Sequence, residues 1–345
     1  LKKELIIKEQ GAGAADFIMS HVDISSPSTQ VFKTTFPFPI EMLEESKASS
    51  VVNLNKINDI RGINDFFKVV SSKLEPGGKF IGCFEGQAQR RRRILRKYPF
   101  IISQVYFLFD FIFKRVFPKL ILTRWFYFFI TAGRNRVLSR AESLGRLVFS
   151  GFDIDLEQEI DGLTYFVCRK TMRSIPEQLP SYGFLFKMSR MGLNNKPIVV
   201  YKIRTMHPYA EYLQDYIYQL NNLQGGGKFK DDFRVTSWGK FLRKCWLDEI
   251  PMVINLLKGE VKLVGVRPIS RQYLSLYSEE LKNKRKEVKP GLVPPFYADM
   301  PNTLEEIMSS ELAYIEMYNK DPLRTDVKYF IRASRNILFN NARTS

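Results

Sequence analysis

Two carboxylates, Asp248 and Glu249, stand side by side in "RKCWLDEIPMVINLLKGE", Arg243 to Glu260, with a proline and an apolar run behind them. Adjacent carboxylates can hold Mg²⁺, which takes oxygen ligands and often bridges to substrate phosphates. A carboxylate beside such a metal can also attack phosphorus as a nucleophile. Chemistry on a diphosphate needs several cations as well, because phosphoryl transfer depends on positioning and charge stabilisation. Those cations occur in short runs. "NKPIVVYKIRTM" contains Lys202 and Arg204 at i, i+2, pointing the same way if the run is a strand. "DDFRVTSWGKFLRK" contains Arg234 and Arg243, "VGVRP" contains Arg267, and "VKPG" contains Lys289. Each alone reads as a solvated charge; together, around an acidic pair, they read as a phosphate site.

The elements that must position these groups follow from periodicity. Trp238, Phe241, Leu242 and Cys245 fall at i, i+3, i+4, i+7, one face of a helix. Ile250, Val253, Ile254 and Leu257 repeat the spacing, and Gly259 closes the second run as a C′ residue would. Asp248 is then expected as the N-cap of that second helix, with Glu249 and Pro251 in its first turn. Taken alone, the pair is an ordinary cap. A helix N-terminus nonetheless attracts anions through its free N–H groups and dipole.

Upstream, "SSVVNLNKIND" reads as a strand, "INDFFKVVSSKL" as a helix, "EPGG" as a turn and "KFIGCF" as a second strand, an α/β order. "GAGAADF", Gly11 to Phe17, hints at a glycine-rich turn. "LSRAESLGRLVFSGFDIDLEQEIDGLTYFVCRK" reads as helix, glycine stop, strand, turn, strand, with Ser139 and Glu142 spaced as a capping box. "TMRSIPEQLPSY", Thr171 to Tyr182, carries two prolines and little periodicity, which places a domain boundary there.

The net charge is +17 in 345 residues, and its location matters more than its size. Between Gly86 and Arg140 there are 13 Lys/Arg against one acid, Asp110, a local charge of +12. Aromatic and aliphatic residues interleave with these cations over about residues 90–136. A transmembrane span needs about 20 apolar residues in a row, and Asp110, Lys114, Arg115, Lys119 and Arg124 interrupt any such run. The mixture suits a segment lying in the headgroup layer, with Lys/Arg facing anionic lipid. A basic-flanked core helix pair is the bland alternative. Nucleic-acid binding ranks below both, because Phe, Ile and Leu dominate and no nucleic-acid motif accompanies them. Three scattered cysteines and two histidines offer neither a disulfide framework nor a histidine metal site, which fits a reducing cytosolic compartment. The first residue is Leu1, so an earlier targeting segment can be absent from this sequence.

Two resemblances extend this reading. "VVNLNKINDIRGINDFFKVVSSKLEPGGKFIGCFE" resembles the latter part of a class I methyltransferase, over about residues 50–85 and 139–170. The first strand and its glycine-rich cofactor loop have no counterpart, which implies a degenerate scaffold. Residues from about Gly183 to Ile337 resemble the bacterial sugar transferases, monotopic polyprenyl-phosphate phosphoglycosyl transferases. The matching runs are "GFLFKMSRMGLNNKPIVVYKIRTM", "FRVTSWGKFLRKCWLDEIPMVINLLKGEVKLVGVRP", "VKPG" and the tail "ELAYIEMYNKDPLRTDVKYFIRASRNIL".

The resemblances imply an α/β chain in two parts. Residues 1–175 would form a partial Rossmann-like, methyltransferase-like domain carrying the basic aromatic segment. Residues 176–345 would form a small membrane-associated α/β phosphoglycosyl transferase domain with amphipathic helices. They further imply transfer of a sugar 1-phosphate from a UDP-sugar to polyprenyl (undecaprenyl) phosphate, initiating surface-glycan synthesis. By that analogy Asp248 attacks the sugar-bearing phosphate and Glu249 holds Mg²⁺, while Lys202, Arg204, Arg234, Arg243, Arg267 and Lys289 bind phosphates. The implied setting is the cytoplasmic face of the bacterial inner membrane, against an anionic surface, without nucleic acid and compatible with a homo-oligomer. A non-catalytic membrane-associated partner and a methyltransferase of the same pathway are the alternatives. Two departures stand out. Val266 replaces the first proline of the usual "V-G-P-R-P". The polar "TMRSIPEQLPSYG" stands where the family has a long re-entrant hydrophobic helix.

Overall fold

A computed structural model of the chain describes residues 2–172, 182–220 and 232–339. It divides into two compact units. The first comprises Leu1–Tyr182 with His207–Ile217, and the second comprises Gly183–Met206 with Tyr218–Ser345. The junction expected at 175/176 lies outside the described residues.

The first unit is built on a five-stranded sheet in the order β1-β2-β3-β5-β4. β1 (Thr29–Phe32), β2 (Ala48–Lys56) and β3 (Leu74–Phe84) run parallel. β4 (Phe152–Ile160) and β5 (Leu163–Lys170) form an antiparallel hairpin, with β5 against β3. β2 is nearly continuously buried, as a parallel strand covered on both faces must be. On one face Val52, Leu54, Ile81 and Cys83 pack with Ala14, Ala15, Phe17 and Ile18. On the other, Phe80 meets Phe67 at 5.8 Å and Phe166 at 5.4 Å between ring centroids. The β4–β5 turn uses Asp161 and Gly162 at φ 49° and 80°, the left-handed pair that a tight hairpin demands. β4 spends its charged "DIDLEQE" on the sheet edge, where charge discourages further pairing.

Two elements differ from the sequence expectation. "GAGAADF" is no glycine turn: Gly11 alone takes φ 82°, and Ala12–His21 is a helix that buries Ala14 and Ala15 against the sheet. The capping box is half made. Ser139 Oγ accepts from Glu142 N at 3.1 Å, but the Glu142 carboxylate turns inward to Arg115, Lys119 and Arg146.

The basic aromatic segment forms the helices Gln87–Lys97, Phe100–Phe111 and Ile121–Thr131. Its cations are split in role. Arg90, 2% exposed, grips Asp110 through Nε at 2.6 Å and Nη2 at 2.9 Å, and also reaches Glu85. Phe100, Ile101, Phe109, Leu122, Trp125 and Phe129 all point to solvent. Among the described residues no helix is long and apolar enough to cross a membrane.

The second unit carries the antiparallel hairpin β6 (Leu185–Met191) and β7 (Pro197–Ile203), and the short parallel pair β8 (Lys262–Val264) and β9 (Gly291–Val293). Its core gathers Val264, Val266, Ile269, Leu281, Tyr297 and Tyr314, closed by the helices Leu304–Lys320 and Pro322–Phe339. Val266, at the position of the missing proline, is buried, and its carbonyl accepts from Gly291 N at 2.9 Å. The molecule as described is thus a mixed α/β protein.

Candidate functional site

β7 ends in "YKI" and delivers Lys202 to the second carboxylate, with Lys202 Nζ 2.5 Å from Glu249 Oε1. The strand is tied to the acidic turn by Asn255, which is fully buried. Its Oδ1 accepts from Tyr201 N at 3.2 Å, and its Nδ2 donates to Val199 O at 2.7 Å and to Glu260 Oε2 at 2.6 Å. Asn255 falls outside the apolar periodicity, and an amide inside the run "MVINLLKGE" is the sequence signal for it.

The helix Ser237–Lys244 is capped by Thr236, whose Oγ1 accepts from Gly239 N at 2.9 Å and donates to Thr205 O at 2.9 Å. Thr205 Oγ1 in turn accepts from Arg243 Nε at 2.9 Å. Gly239 permits this packing, since a Cβ there would sit 2.1 Å from Thr205 O. Gly239→Ala is expected to destabilise the second unit by about 1–3 kcal/mol, the usual cost of overpacking, read as a lowered denaturation midpoint.

Asp248 is not the N-cap that the sequence suggested. Trp246 takes that position at φ 59°, and Leu247–Met252 is a 3₁₀ segment with Pro251 inside it. Val253–Leu257 follows as an α-helix, and Gly259 at φ 68° closes the run as expected. Asp248 and Glu249 are both buried, and among the described residues Asp248 Oδ1 has no hydrogen-bond partner. Burial first, and the neighbouring Glu249 charge second, push the Asp248 carboxyl above the usual carboxylate range, with Lys202 and Arg243 opposing. Burial likewise lowers the Arg243 pKa, against the pull of Asp248 and Asp232.

The remaining predicted cations fall in different places. Arg234 is buried and bidentate on Asp232, with Nη2–Oδ2 2.8 Å and Nε–Oδ1 2.9 Å. Asp232 is an acid that the sequence argument left out. Arg204 Nε donates to Gly183 O at 3.0 Å, and its guanidinium lies 4.8 Å from the Phe186 ring centroid. Arg267 lies over Phe296 at 5.9 Å, while its carbonyl accepts from Arg285 Nη2 at 2.6 Å. Lys289 Nζ lies beside Gly259, 4.0 Å from where a Cβ would stand. Among the described residues neither Arg267 nor Lys289 forms an ion pair with Asp248 or Glu249. The structure therefore gathers Asp248, Glu249, Lys202 and Arg243 around one turn, with Arg234 and Asp232 acting on Arg243.

Among the described residues no group of three or more His, Cys, Asp or Glu forms a metal cluster. Two adjacent buried carboxylates, one with an orphaned oxygen, still fit Mg²⁺, which commonly takes one or two carboxylates and fills its sphere with substrate phosphates. Around the turn the apolar periodicity faces outward: Trp238, Phe241, Ile250, Val253, Ile254 and Leu257 are all exposed, Leu257 at 82%.

Residues 171–340 match the family model described as bacterial sugar transferase. An uncharacterized sugar transferase, EpsL, of Bacillus subtilis is 39% identical over 107 residues, 31% of this chain and 46% of that protein. The galactosyl transferase CpsE of Streptococcus agalactiae is 31% identical over 158 residues, 45% of this chain and 34% of that protein. A UDP-glucose:undecaprenyl-phosphate glucose-1-phosphate transferase of Klebsiella pneumoniae is 38% identical over 112 residues, 31% of this chain and 22% of that protein. The chain spans less than half the length of each of these relatives.

Proposed function

We propose that the bacterial sugar transferase match of residues 171–340 extends to chemistry: this chain is an enzyme that transfers a sugar 1-phosphate from a UDP-sugar to a polyprenyl phosphate. The observation that carries the reading is Asp248, a buried carboxylate whose Oδ1 meets no donor among the described residues, set beside the Glu249–Lys202 pair. A structural carboxylate in such a place is normally hydrogen-bonded. An unsatisfied one is a group held ready for a partner that arrives with substrate.

In this reading Asp248 Oδ1 attacks the sugar-bearing phosphorus of the UDP-sugar. The bond from that phosphorus to the bridging oxygen breaks, and its electron pair leaves with UMP. An oxygen of the polyprenyl phosphate then attacks the same phosphorus. The aspartyl oxygen–phosphorus bond breaks, the carboxylate is restored, and a polyprenyl diphosphosugar leaves. Lys202 and Arg243 oppose the charge that gathers at the phosphorus, and Arg204, Arg234, Arg267 and Lys289 are proposed for the nucleotide and lipid phosphates. Glu249 is the residue that would hold Mg²⁺, which supplies charge neutralisation on the diphosphate when bound. Burial strengthens each of these interactions by excluding water.

A lipid substrate requires a membrane contact, and the exposed apolar side chains flanking the acidic turn supply one in the second unit itself. The same reading puts the chain at the cytoplasmic face of the bacterial inner membrane, peripheral or monotopic, where a UDP-sugar and a lipid phosphate would meet. The basic aromatic helices of the first unit would act as a second contact with anionic lipid. The double variant Phe241→Ser/Leu257→Ser is expected to bind vesicles about a hundredfold or more weakly, because two side chains lose about 1.5–3 kcal/mol each when not buried. Co-sedimentation with phosphatidylglycerol vesicles measures this.

Purified protein with Mg²⁺, undecaprenyl phosphate and a panel of UDP-sugars should release UMP with at least one of them. Absence of UMP release across the panel would leave a non-catalytic partner as the function.

A further inference from the structure

The first unit contains a cavity of about 320 Å³, within the size range of small-ligand sites, lined by seven cationic side chains against two acids. Four of the cations are already matched. Arg115, Lys119 and Arg146 converge on Glu142, and Lys114 pairs with Asp110 at 2.9 Å. The other three are not. Arg61, Arg124 and Arg136 place their guanidinium carbons 5.2, 5.9 and 5.9 Å from the centroid of the Phe128 ring. Among the described residues none of the three has an acidic partner.

Like charges crowded around one ring repel, and a single aromatic face compensates only in part. The backbone holds them there regardless: Gly133 at φ 82° packs against the Arg61 stem and the Phe128 ring, each 3.0 Å from where its Cβ would stand. Among the described residues two buried donors, Arg136 Nε and Arg146 Nε, have no acceptor, and Arg146 is only 7% exposed. Burial, with the charge of Arg115 next in weight, brings the Lys119 ammonium down to about 7. The cavity thus has surplus positive charge and two unmet N–H groups, although Arg136 Nη2 already donates to the Ile60 and Arg61 carbonyls and Arg146 Nη1 to Asn64 Oδ1. It lies past the carboxyl end of β2, where open α/β sheets bind ligands, since Arg61–Asp65 follow that strand.

We propose that this cavity binds a phosphate-bearing anion, with Arg61, Arg124 and Arg136 as its principal ligands, and that the phosphate is carried by a lipid. The anion follows from three forked donors that need several acceptor oxygens in one small group. The lipid follows from Arg124, which stands on the helix Ile121–Thr131 among apolar side chains that face outward: Leu122 at 94%, Trp125 at 74% and Phe129 at 75% exposure. A headgroup in the cavity would leave its chains along that helix. The inference does not depend on the transferase reading, which concerns the other unit.

The test is hydrogen exchange on the full chain, read at peptides covering 61–65 and 114–138, with three probes. These are inorganic pyrophosphate, phosphatidylglycerol vesicles and phosphatidylcholine vesicles. Pyrophosphate and phosphatidylglycerol are expected to protect both peptides, phosphatidylcholine is not, and added pyrophosphate should compete with the anionic vesicles. Arg61→Gln/Arg124→Gln should weaken both effects at least tenfold while leaving the denaturation midpoint of the ligand-free protein unchanged. Both side chains are exposed and outside the Glu142 network, so the variant should fold, and Arg124→Gln alone gives a second reading. No protection by either anion, or equal protection in the variants, overturns the proposal. Protection by pyrophosphate without protection by phosphatidylglycerol overturns the lipid source and leaves a soluble phosphate ester. Vesicle protection confined to 114–138 and indifferent to the variants marks surface adsorption only and overturns the cavity site.

Discussion

Asp248→Asn is expected to reduce UMP release by at least about 10³-fold, the scale on which loss of a nucleophile acts. It should do so without lowering thermal stability. The sign follows from linkage. Burial and the Glu249 charge hold the Asp248 pKa above its unfolded value, so the folded state prefers the protonated, neutral group. Ionised Asp248 therefore costs stability at neutral pH, and the neutral, isosteric amide removes that cost. A midpoint at or above wild type, together with lost turnover, separates a nucleophile from a structural carboxylate, whose loss would lower both. The wild-type rate should also fall on acidification at a pH above the ordinary aspartate range, as Asp248 takes up its proton. Intact-protein mass spectrometry should show a phosphosugar adduct on wild type and none on Asp248→Asn. Equal UMP release by the two proteins would remove Asp248 from the chemistry.

The difference between a cap and a poised carboxylate turns on one residue that local pattern cannot supply. The spacing of Ile250, Val253, Ile254 and Leu257 made a helix starting at Asp248 the natural reading. What moves Asp248 off the cap is Trp246 in the left-handed region, where a bulky side chain is rare. Its indole Nε1 donates to Tyr297 OH at 3.0 Å, a partner 51 residues along the chain. Strand β2, the Asp161–Gly162 hairpin and the Gly259 stop were legible because their causes are local; the expected turn "EPGG" instead lies within β3, where the register to β2 shifts between Ala48 and Ser50. The outward direction of the apolar stripes was not, because periodicity defines a face without saying what it meets. Charge was the least legible of all. Counting Lys and Arg across residues 86–140 gave a lipid-facing surface, yet Arg90 and Arg115 are buried on acids 20 and 27 residues away in sequence. Composition sees the cations, and only the fold shows which are already neutralised.

Glu142→Gln is expected to be the most destabilising single change in the first unit, by about 3–5 kcal/mol, because removing one partner of a buried network strands the others. Glu142 is 1% exposed and accepts from Arg115, Lys119 and Arg146. Burial alone would raise its pKa, but Lys119, Arg115 and Arg146 together hold it well below the usual carboxylate range. A depressed folded pKa gives stability that is present above the unfolded value of about 4.3 and lost as pH falls further. His207 adds to this from higher pH. Burial, then the adjacent Arg115, hold it neutral with a pKa of about 3, so its contribution is present above about 6.5 and declines below that. The first unit should therefore weaken progressively from about pH 6.5 downward, and Glu142→Gln should flatten the steeper part of that decline below about 4.3. Arg92→Ala provides the contrast. It breaks an ion pair with Glu159 whose side chains are 52% and 46% exposed, so the loss should stay within about 1 kcal/mol. Urea denaturation from about pH 2 to 8, followed by probes local to the first unit, measures all three; a Glu142→Gln loss no larger than that of Arg92→Ala would mean that the buried network contributes nothing to holding the unit together.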